Sequence, residues 1–366
     1  MIAPRQRLVF LSLVPSPYQR DVFRAIAARA RVDLSVIYLE NAAPDSPWPA
    51  TALAPWEQVL PGFTAGRGQW RSHFNWPVPK PRTGETWVVN GAMTDFTTQW
   101  FIRRAGRQVP WYFWGERPSL PRTAWKRWLQ ARQYSPLGSA RAIVAVGGKA
   151  RSAYARLVPG VPVFNQPYAC RLEEFAQRAA LRPATADVLF LFCGQMIARK
   201  GIDLLLQAFA QLVRAGAPGR LELIGREAEL PGFLGALDET VRGRITYRGF
   251  LPPDELPAAF GRADVFVLPS RQDGWGVVVN QALGAGLPVI SSDAVGAAHD
   301  LIDPGKSGLI VPAGDVDALA AAMRGLAESA ELRTRLGAAA SARARDLSPE
   351  KAAAFWEDLV EHGPRS

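Results

Sequence analysis

The chain has 366 residues, 48% hydrophobic and 21% charged, with 30 prolines and 32 glycines spread along it. A single core stops growing near about 250–300 residues, so two domains are expected; a disordered tract does not fit, and two cysteines, Cys170 and Cys193, cannot form a disulfide framework. The net charge of +10 is uneven: residues 1–170 carry 22 Lys and Arg against 8 Asp and Glu (net +14), and the rest carry 21 against 25 (net −4).

In chain order, residues 7–14 read as a buried strand, followed by the turn Pro15-Ser16-Pro17-Tyr18. Ser16 suits an N-cap and Pro17 a first helical position, which predicts a helix over 17–30. Residues 32–38 read as a second strand, completing the strand–helix–strand unit of a parallel sheet. Apolar runs at 85–90 and 110–114 continue that sheet. Residues 41–82, rich in Pro, Trp and Gly, read as long loops or a short irregular sheet. Trp125 and Trp128 stand among Arg122, Lys126, Arg127 and Arg132 on a basic helix. Its tryptophans either pack on a core or meet an anionic membrane surface.

The second half alternates regularly. Strands are predicted at 187–193, 221–224, 245–247, 264–268, 288–291 and 308–311. Helices fall between or after them at 201–215, 230–242, 254–263, 276–285 and 315–328, the doubly wound pattern. Residues 167–185, with Pro183, read as the connection between the domains, and 348–362 as a last helix. The apolar stretch from Leu8 to Val14 is too short for a signal peptide, and no apolar run approaches the ~20 residues of a membrane span. With reduced thiols, cytoplasmic residence without a membrane-spanning segment is expected.

Ligands of open α/β sheets sit outside the carboxyl ends of the strands. One such end reads Phe192-Cys-Gly-Gln195-Met-Ile-Ala-Arg199-Lys200-Gly201, placing two cations just before a helix start, where phosphate is favoured. Two others end at Gly225 and at Gly249-Phe250-Leu251. The most informative is Pro269-Ser270-Arg-Gln-Asp273-Gly274-Trp275-Gly276, followed by Gln281 and by Gly286-Leu-Pro288-Val-Ile290. The Gly-Trp-Gly bend offers backbone amides as an anion nest. Gln281, eight residues after Asp273, projects from nearly the same helix face. Asp315-Val-Asp317 resembles a metal-binding string but reads better as a helix cap, so no metal is assigned.

These residues resemble family 4 of the retaining glycosyltransferases over about residues 187–330, with Ser270, Gly274, Gly276, Ala282, Gly286, Pro288, Val289 and Ile290 fitting as they stand. In the first half, Pro15-Ser-Pro-Tyr-Gln19 and Trp114-Gly-Glu116 resemble members acting on bacterial surface glycans. The resemblance implies an α/β GT-B fold, two doubly wound Rossmann-like domains facing a central cleft. Residues 1–170 would bind the acceptor and 171–345 the donor, with 346–366 as a helix crossing back to the first domain. It implies transfer of a sugar, with retention, from a nucleotide-diphosphate donor to a glycan or lipid-linked glycan, with no cofactor or metal. The protein would be cytoplasmic or peripheral on the inner face of the plasma membrane.

By the same resemblance, the donor site comprises Gln195, Arg199, Lys200, Gly225, Phe250, Leu251, Asp273, Gly274, Trp275, Gly276 and Gln281. Asp273 stands where the family has a first glutamate that touches donor-sugar hydroxyls. Gln281 stands at the second, which accepts from ribose hydroxyls; a Gln carbonyl accepts equally without charge. Gln195 replaces a family arginine, leaving Arg199 as the alternative cation. Lys200, Asp273 and Glu116 are the catalytic candidates, with Glu116 as the side-chain base, though an ion pair with arginine is the competing reading for it. The family often has a histidine in the first domain; His73, His299 and His362 follow no clear strand end. Competing functions are a nucleotide-sugar-binding protein that has lost transfer, an epimerase of the same architecture, and, from the pI near 10.0, a nucleic-acid binder. No nucleic-acid motif appears, and the positive charge lies in one half only.

Overall fold

A computed structural model of the chain describes residues 5–42, 51–66, 72–105, 108–119, 121, 123–180 and 187–364. It divides into two units, one of Met1–Ala169 with Pro349–Ser366 and one of Cys170–Ser348. Pro183 and Arg122, both singled out in the sequence, lie outside the described residues.

The N-terminal unit is built on strands β1 (Arg7–Ser12), β2 (Asp33–Tyr38), β3 (Glu57–Val59), β4 (Gly62–Ala65), β5 (Ser72–Asn75), β6 (Glu85–Asn90), β7 (Trp111–Gly115), β8 (Ala142–Ala145) and β9 (Val163–Asn165). Seven of them form a parallel sheet in the order β3-β2-β1-β6-β7-β8-β9, while β4 and β5 pair as an antiparallel hairpin. A parallel sheet covered on both faces needs strands apolar on both sides, and β1 accordingly buries every residue from Leu8 to Ser12. Trp87, Trp111, Phe101 and Tyr154 fill one face. The helix Pro17–Arg29 is bound to β2 and β3 through charge. Buried Arg20 forks onto Glu57 with bonds of 2.7 and 2.6 Å, and Tyr38 Oη donates to the same carboxylate at 2.7 Å. Burial pushes the Glu57 carboxyl up, but Arg20 and the other donors outweigh it and hold it below the ordinary range.

The helix begins at Pro17 with Ser16 extended before it, as the pattern predicts, but Ser16 does not cap it: its hydroxyl makes no bond to the first turn. The irregular stretch contains β3 and the hairpin. Strands β8 and β9 carry no periodic signal, being only four and three residues long. The final helix, Pro349–His362, belongs to this unit. Its Trp356 is fully buried against Phe10 and Trp114, with ring centroids at 5.4 and 5.3 Å, and its buried Glu357 accepts from Arg29 Nε at 2.8 Å.

The C-terminal unit has β10 (Leu189–Cys193), β11 (Arg220–Ile224), β12 (Ile245–Tyr247), β13 (Val265–Leu268), β14 (Val289–Ser292) and β15 (Gly308–Val311), all parallel, in the order β12-β11-β10-β13-β14-β15. The order reverses between β10 and β13, the topological switch point of a Rossmann sheet. The helix expected over 230–242 is two short ones, Leu230–Gly235 and Glu239–Arg242. The chain breaks at Asp238, whose side chain caps the second. The helix Ala330–Ala344 was not anticipated. Cys170 and Cys193 are both buried, and burial pushes the Cys193 thiol up to about 12. No helix among the described residues is long and apolar enough to cross a membrane.

Candidate active site

The loops after β10 and β13 meet at the switch point of the C-terminal unit and are stitched together. After β10 the chain makes a short turn at Ala198–Lys200 and enters the helix Ile202–Arg214 through Gly201, at φ +74°. A side chain at Gly201 would overlap the Pro269 carbonyl after β13, so only glycine lets the two loops touch. The Arg271 amide donates to the Arg199 carbonyl at 2.9 Å, and Arg199 Nη1 to the Gln272 carbonyl at 3.0 Å. Arg271 then forks onto Asp203, both bonds 2.6 Å. Burial pushes the Asp203 carboxyl up, yet Arg271 outweighs it and holds the pKa below the ordinary range. This clamp was not foreseen. The two residues lie 68 positions apart and share no motif, so only the fold reveals the pairing.

Within this junction Lys200 Nζ lies 2.5 Å from Asp273 Oδ2, both side chains mostly buried. The two were expected to meet different parts of a donor; here they are each other's partner. The bend 273–276 is also pinned from the β14 side. Asp273 bridges Val295, the Trp275 carbonyl accepts from Ala297, and a side chain at Gly296 would overlap the Gly274 carbonyl. Trp275 is only 1% exposed, and its indole donates to Asn280 at 3.0 Å. Its ring therefore holds the bend from inside, and any ligand contact at this position is left to the backbone. Gly276 sits at φ +88°. Among the described residues, neither the Gly274 nor the Gly276 amide donates to a backbone carbonyl. The helix that follows starts at Val278, two residues later than the pattern suggests.

On that helix the Gln281 Oε1 is buried and has no hydrogen-bond partner among the described residues. A buried orphan acceptor costs about 1–3 kcal/mol, so it marks a place where a donor is wanted. Gln195 and Arg199 are exposed on the loop after β10. The Gly225 amide donates to the Gly249 carbonyl, and Tyr247 Oη to the Gly225 carbonyl, both at 2.8 Å, which ties the ends of β11 and β12 together. The Met196 amide continues the chain of contacts to the Arg226 carbonyl. Phe250, 41% exposed, and half-buried Leu251 follow at the end of β12. Asp315 caps the helix Val316–Glu328 through the Ala318 amide, and Asp317 accepts from Gln211, both at 2.9 Å. Among the described residues no cluster of His, Cys, Asp and Glu is arranged to hold a metal ion.

The sheet of the N-terminal unit reverses between β1 and β6, and polar groups gather at that second switch point. Ser12 and Ser16 are buried with hydroxyls that have no partner among the described residues. Buried Gln19 donates to Asn90 Oδ1 at 2.9 Å, and Asn90 to the Trp114 carbonyl at 2.9 Å. Glu116, exposed just after β7, takes a hydrogen bond from fully buried Tyr168. Burial first, and Glu116 second, push that phenol well above its ordinary value. His73 is buried in β5, bonded to Asp95 at 2.9 Å and 3.0 Å from Glu40. His299 is exposed on the C-terminal unit and bonded to the Asp293 carbonyl.

The family model for glycosyl transferases group 1 matches residues 173–343, and so covers the loops just described in the C-terminal unit. An alpha-D-kanosaminyltransferase of Streptomyces kanamyceticus is 29% identical over 167 residues, 44% of this chain and 42% of that protein. The O-antigen chain mannosyltransferase B of Escherichia coli is 29% identical over 213 residues, 53% of this chain and 54% of that one. The chain thus spans about half the length of the curated relatives it matches. Over its whole length the fold resembles Anabaena HepE crystallised with UDP, at a TM-score of 0.72 and 15% identity, covering 97% of this chain and 99% of that one. The architecture is the GT-B one of two Rossmann-like domains, and residues 173–343 are similar to the glycosyl transferases group 1.

Proposed function

We propose that the chain transfers a sugar, with retention of configuration, from a nucleoside-diphosphate donor to a hydroxyl of a glycan or lipid-linked glycan. The observation that carries this is the junction of the β10 and β13 loops, where Lys200 pairs with Asp273 at the head of the Gly274–Gly276 bend. Departure of the nucleoside diphosphate builds negative charge on phosphate oxygens. Fixed donors aimed at that charge lower the barrier. Lys200 has three N–H donors and gives one to Asp273, so the others are available to phosphate. Arg199, exposed and using Nη1 on Gln272, adds a second cation. With this charge supplied by the chain, the reading needs no metal.

Asp273, oriented by Lys200, would accept from donor-sugar hydroxyls, and Gln281 Oε1 from the ribose. Gly225, Phe250 and Leu251 would flank the base. In a front-face substitution the leaving phosphate takes the acceptor proton. Glu116 is the side chain of the N-terminal unit proposed to share that task, and the unpartnered Ser12 and Ser16 hydroxyls suit a polyhydroxylated acceptor. The O-antigen relative supports a surface glycan as product.

A thermal-shift panel of nucleotide sugars tests the donor. A true donor at a hundredfold excess over Kd stabilises by ~2.7 kcal/mol. Lys200→Met should cut transfer by about 100-fold or more at unchanged fold, the loss typical of one transition-state donor, and Asp273→Asn, which removes the charge that orients Lys200, should cut it comparably. Full turnover in both variants, or no nucleotide sugar raising Tm, sinks the reading. Donor binding with no transfer to any acceptor would identify a binding protein instead.

A further inference from the structure

One face of the N-terminal sheet carries Val9, Ile37 and Trp87 into the core. At its corner a proline-rich segment, residues 77–82, covers the sheet where no helix does. Val78 anchors this segment in the core at 6% exposure, and Pro77, Pro79 and Pro81 stiffen its backbone. Between segment and sheet lies a cavity of about 360 Å³, the size of a small-molecule site. Strand register sets its walls: Val9 stands beside Ser35 and Trp87, Ile37 beside Gln58, and Arg7 beside Glu85. Its charged end lies at the amino ends of β1 and β6. A strand advances about 3.3 Å per residue, so this end is roughly 17 Å from the carboxyl ends, where Ser12 and Asn90 stand.

Three cations line that end: Arg7, Lys80 and Arg82. Arg7 is balanced, its Nε 3.6 Å from Glu85 and 3.9 Å from Asp33. Glu85 is itself buried, and its Oε2 accepts from the Arg82 amide and the Trp87 indole, both at 2.9 Å. That carboxylate is saturated and turned inward. Lys80 and Arg82 are exposed, and among the described residues no hydrogen bond or ion pair engages the Lys80 ammonium or the Arg82 guanidinium. The side chains of half-buried Ser35 and exposed Gln58 also make no hydrogen bond among the described residues.

We infer that this cavity binds a phosphate monoester with a small hydroxylated body. Charge chooses the head group. Two cations without carboxylate partners suit a group carrying about −1.5 to −2 charge at neutral pH, which a single carboxylate does not supply. Such bonds are charge-assisted, and a guanidinium can fork onto two phosphate oxygens. The rest of the cavity chooses the body. The Ser35 hydroxyl and Gln58 amide can each donate to and accept from hydroxyls, while Leu60 and the prolines meet C–H groups. Inorganic phosphate alone would leave those groups uncovered. The site shares no residue with the donor junction, and its failure leaves the transferase reading untouched.

The test is calorimetric titration of the full chain with glycerol phosphate, inorganic phosphate and gluconate. Glycerol phosphate is expected to bind saturably, more tightly than the other two, and more weakly as salt rises. The Lys80→Gln, Arg82→Gln variant should raise its Kd about tenfold or more, the loss of one charge-assisted bond or two. Gln58→Leu should weaken glycerol phosphate and leave inorganic phosphate unchanged. Lys200→Met, which alters the donor junction, should change neither. These three side chains of the cavity are exposed and unpartnered among the described residues, so Tm should stay at the wild-type value. No saturable binding, or affinity that survives in the Lys80→Gln, Arg82→Gln variant, overturns the inference. So does binding lost in Lys200→Met, which would put the anion at the donor junction, or gluconate binding as tightly as glycerol phosphate.

Discussion

Gln281 separates what a residue does for function from what it does for folding. Its side-chain carbonyl is buried and unpartnered. Gln281→Met should therefore stabilise the fold by about 1 kcal/mol while weakening nucleotide-sugar affinity roughly tenfold, since the orphan acceptor is removed from both ledgers. Urea unfolding and titration calorimetry read the two signs; a loss in stability together with unchanged affinity would assign Gln281 to packing. Lys200 and Asp273 show the opposite case, in which each residue is positioned by the other, so single substitutions should couple in a double-mutant cycle. Both residues were recognisable in the sequence from the motif around them. Their mutual pairing, the Arg271–Asp203 clamp, and the burial of Trp275 were not, because each depends on which loops the sheet brings together.

At the scale of elements, the β4–β5 hairpin is held to its unit through His73, set between Asp95 and Glu40. Burial lowers the pKa of this imidazole, but the two carboxylates outweigh burial and raise it above the ordinary value. The raised value means that the charged His73 stabilises the fold fully below about pH 6.5, and that this contribution fades as pH rises through the folded-state pKa. Unfolding midpoints should fall across that window in the wild type and be flatter in His73→Gln. Identical pH profiles would show that His73 is not the group responsible. The loop junction of the other unit has a steric element of its own. Gly225, at φ +140°, touches the Gly194 carbonyl so closely that a Cβ would overlap it. Gly225→Ala should cost more than about 2 kcal/mol, measured by denaturant unfolding, and should part the ends of β10 and β11. A glycine is visible in the sequence; the carbonyl that makes it obligatory is not.

Across the whole molecule, the last helix returns to the first unit, and Trp356 fills a space against Phe10 and Trp114. Trp356→Ala should cost about 3–5 kcal/mol, with the unfolding transition of the N-terminal unit shifted while that of the C-terminal unit stays in place. A shift of the C-terminal transition alone would contradict this placement. From the sequence alone came the two-part organisation, the parallel α/β class of each half, most strand positions, and the motif proposed here to hold the donor. These are local properties, set by apolar runs of fixed length, by charge composition and by residues adjacent along the chain. The tertiary structure decided the strand order, the two switch points, the contacts of the last helix, and which charges pair. It also left the Trp125–Trp128 helix without a core to pack on. Those are questions of which distant segments meet, and a linear pattern holds no information about a neighbour that only folding supplies.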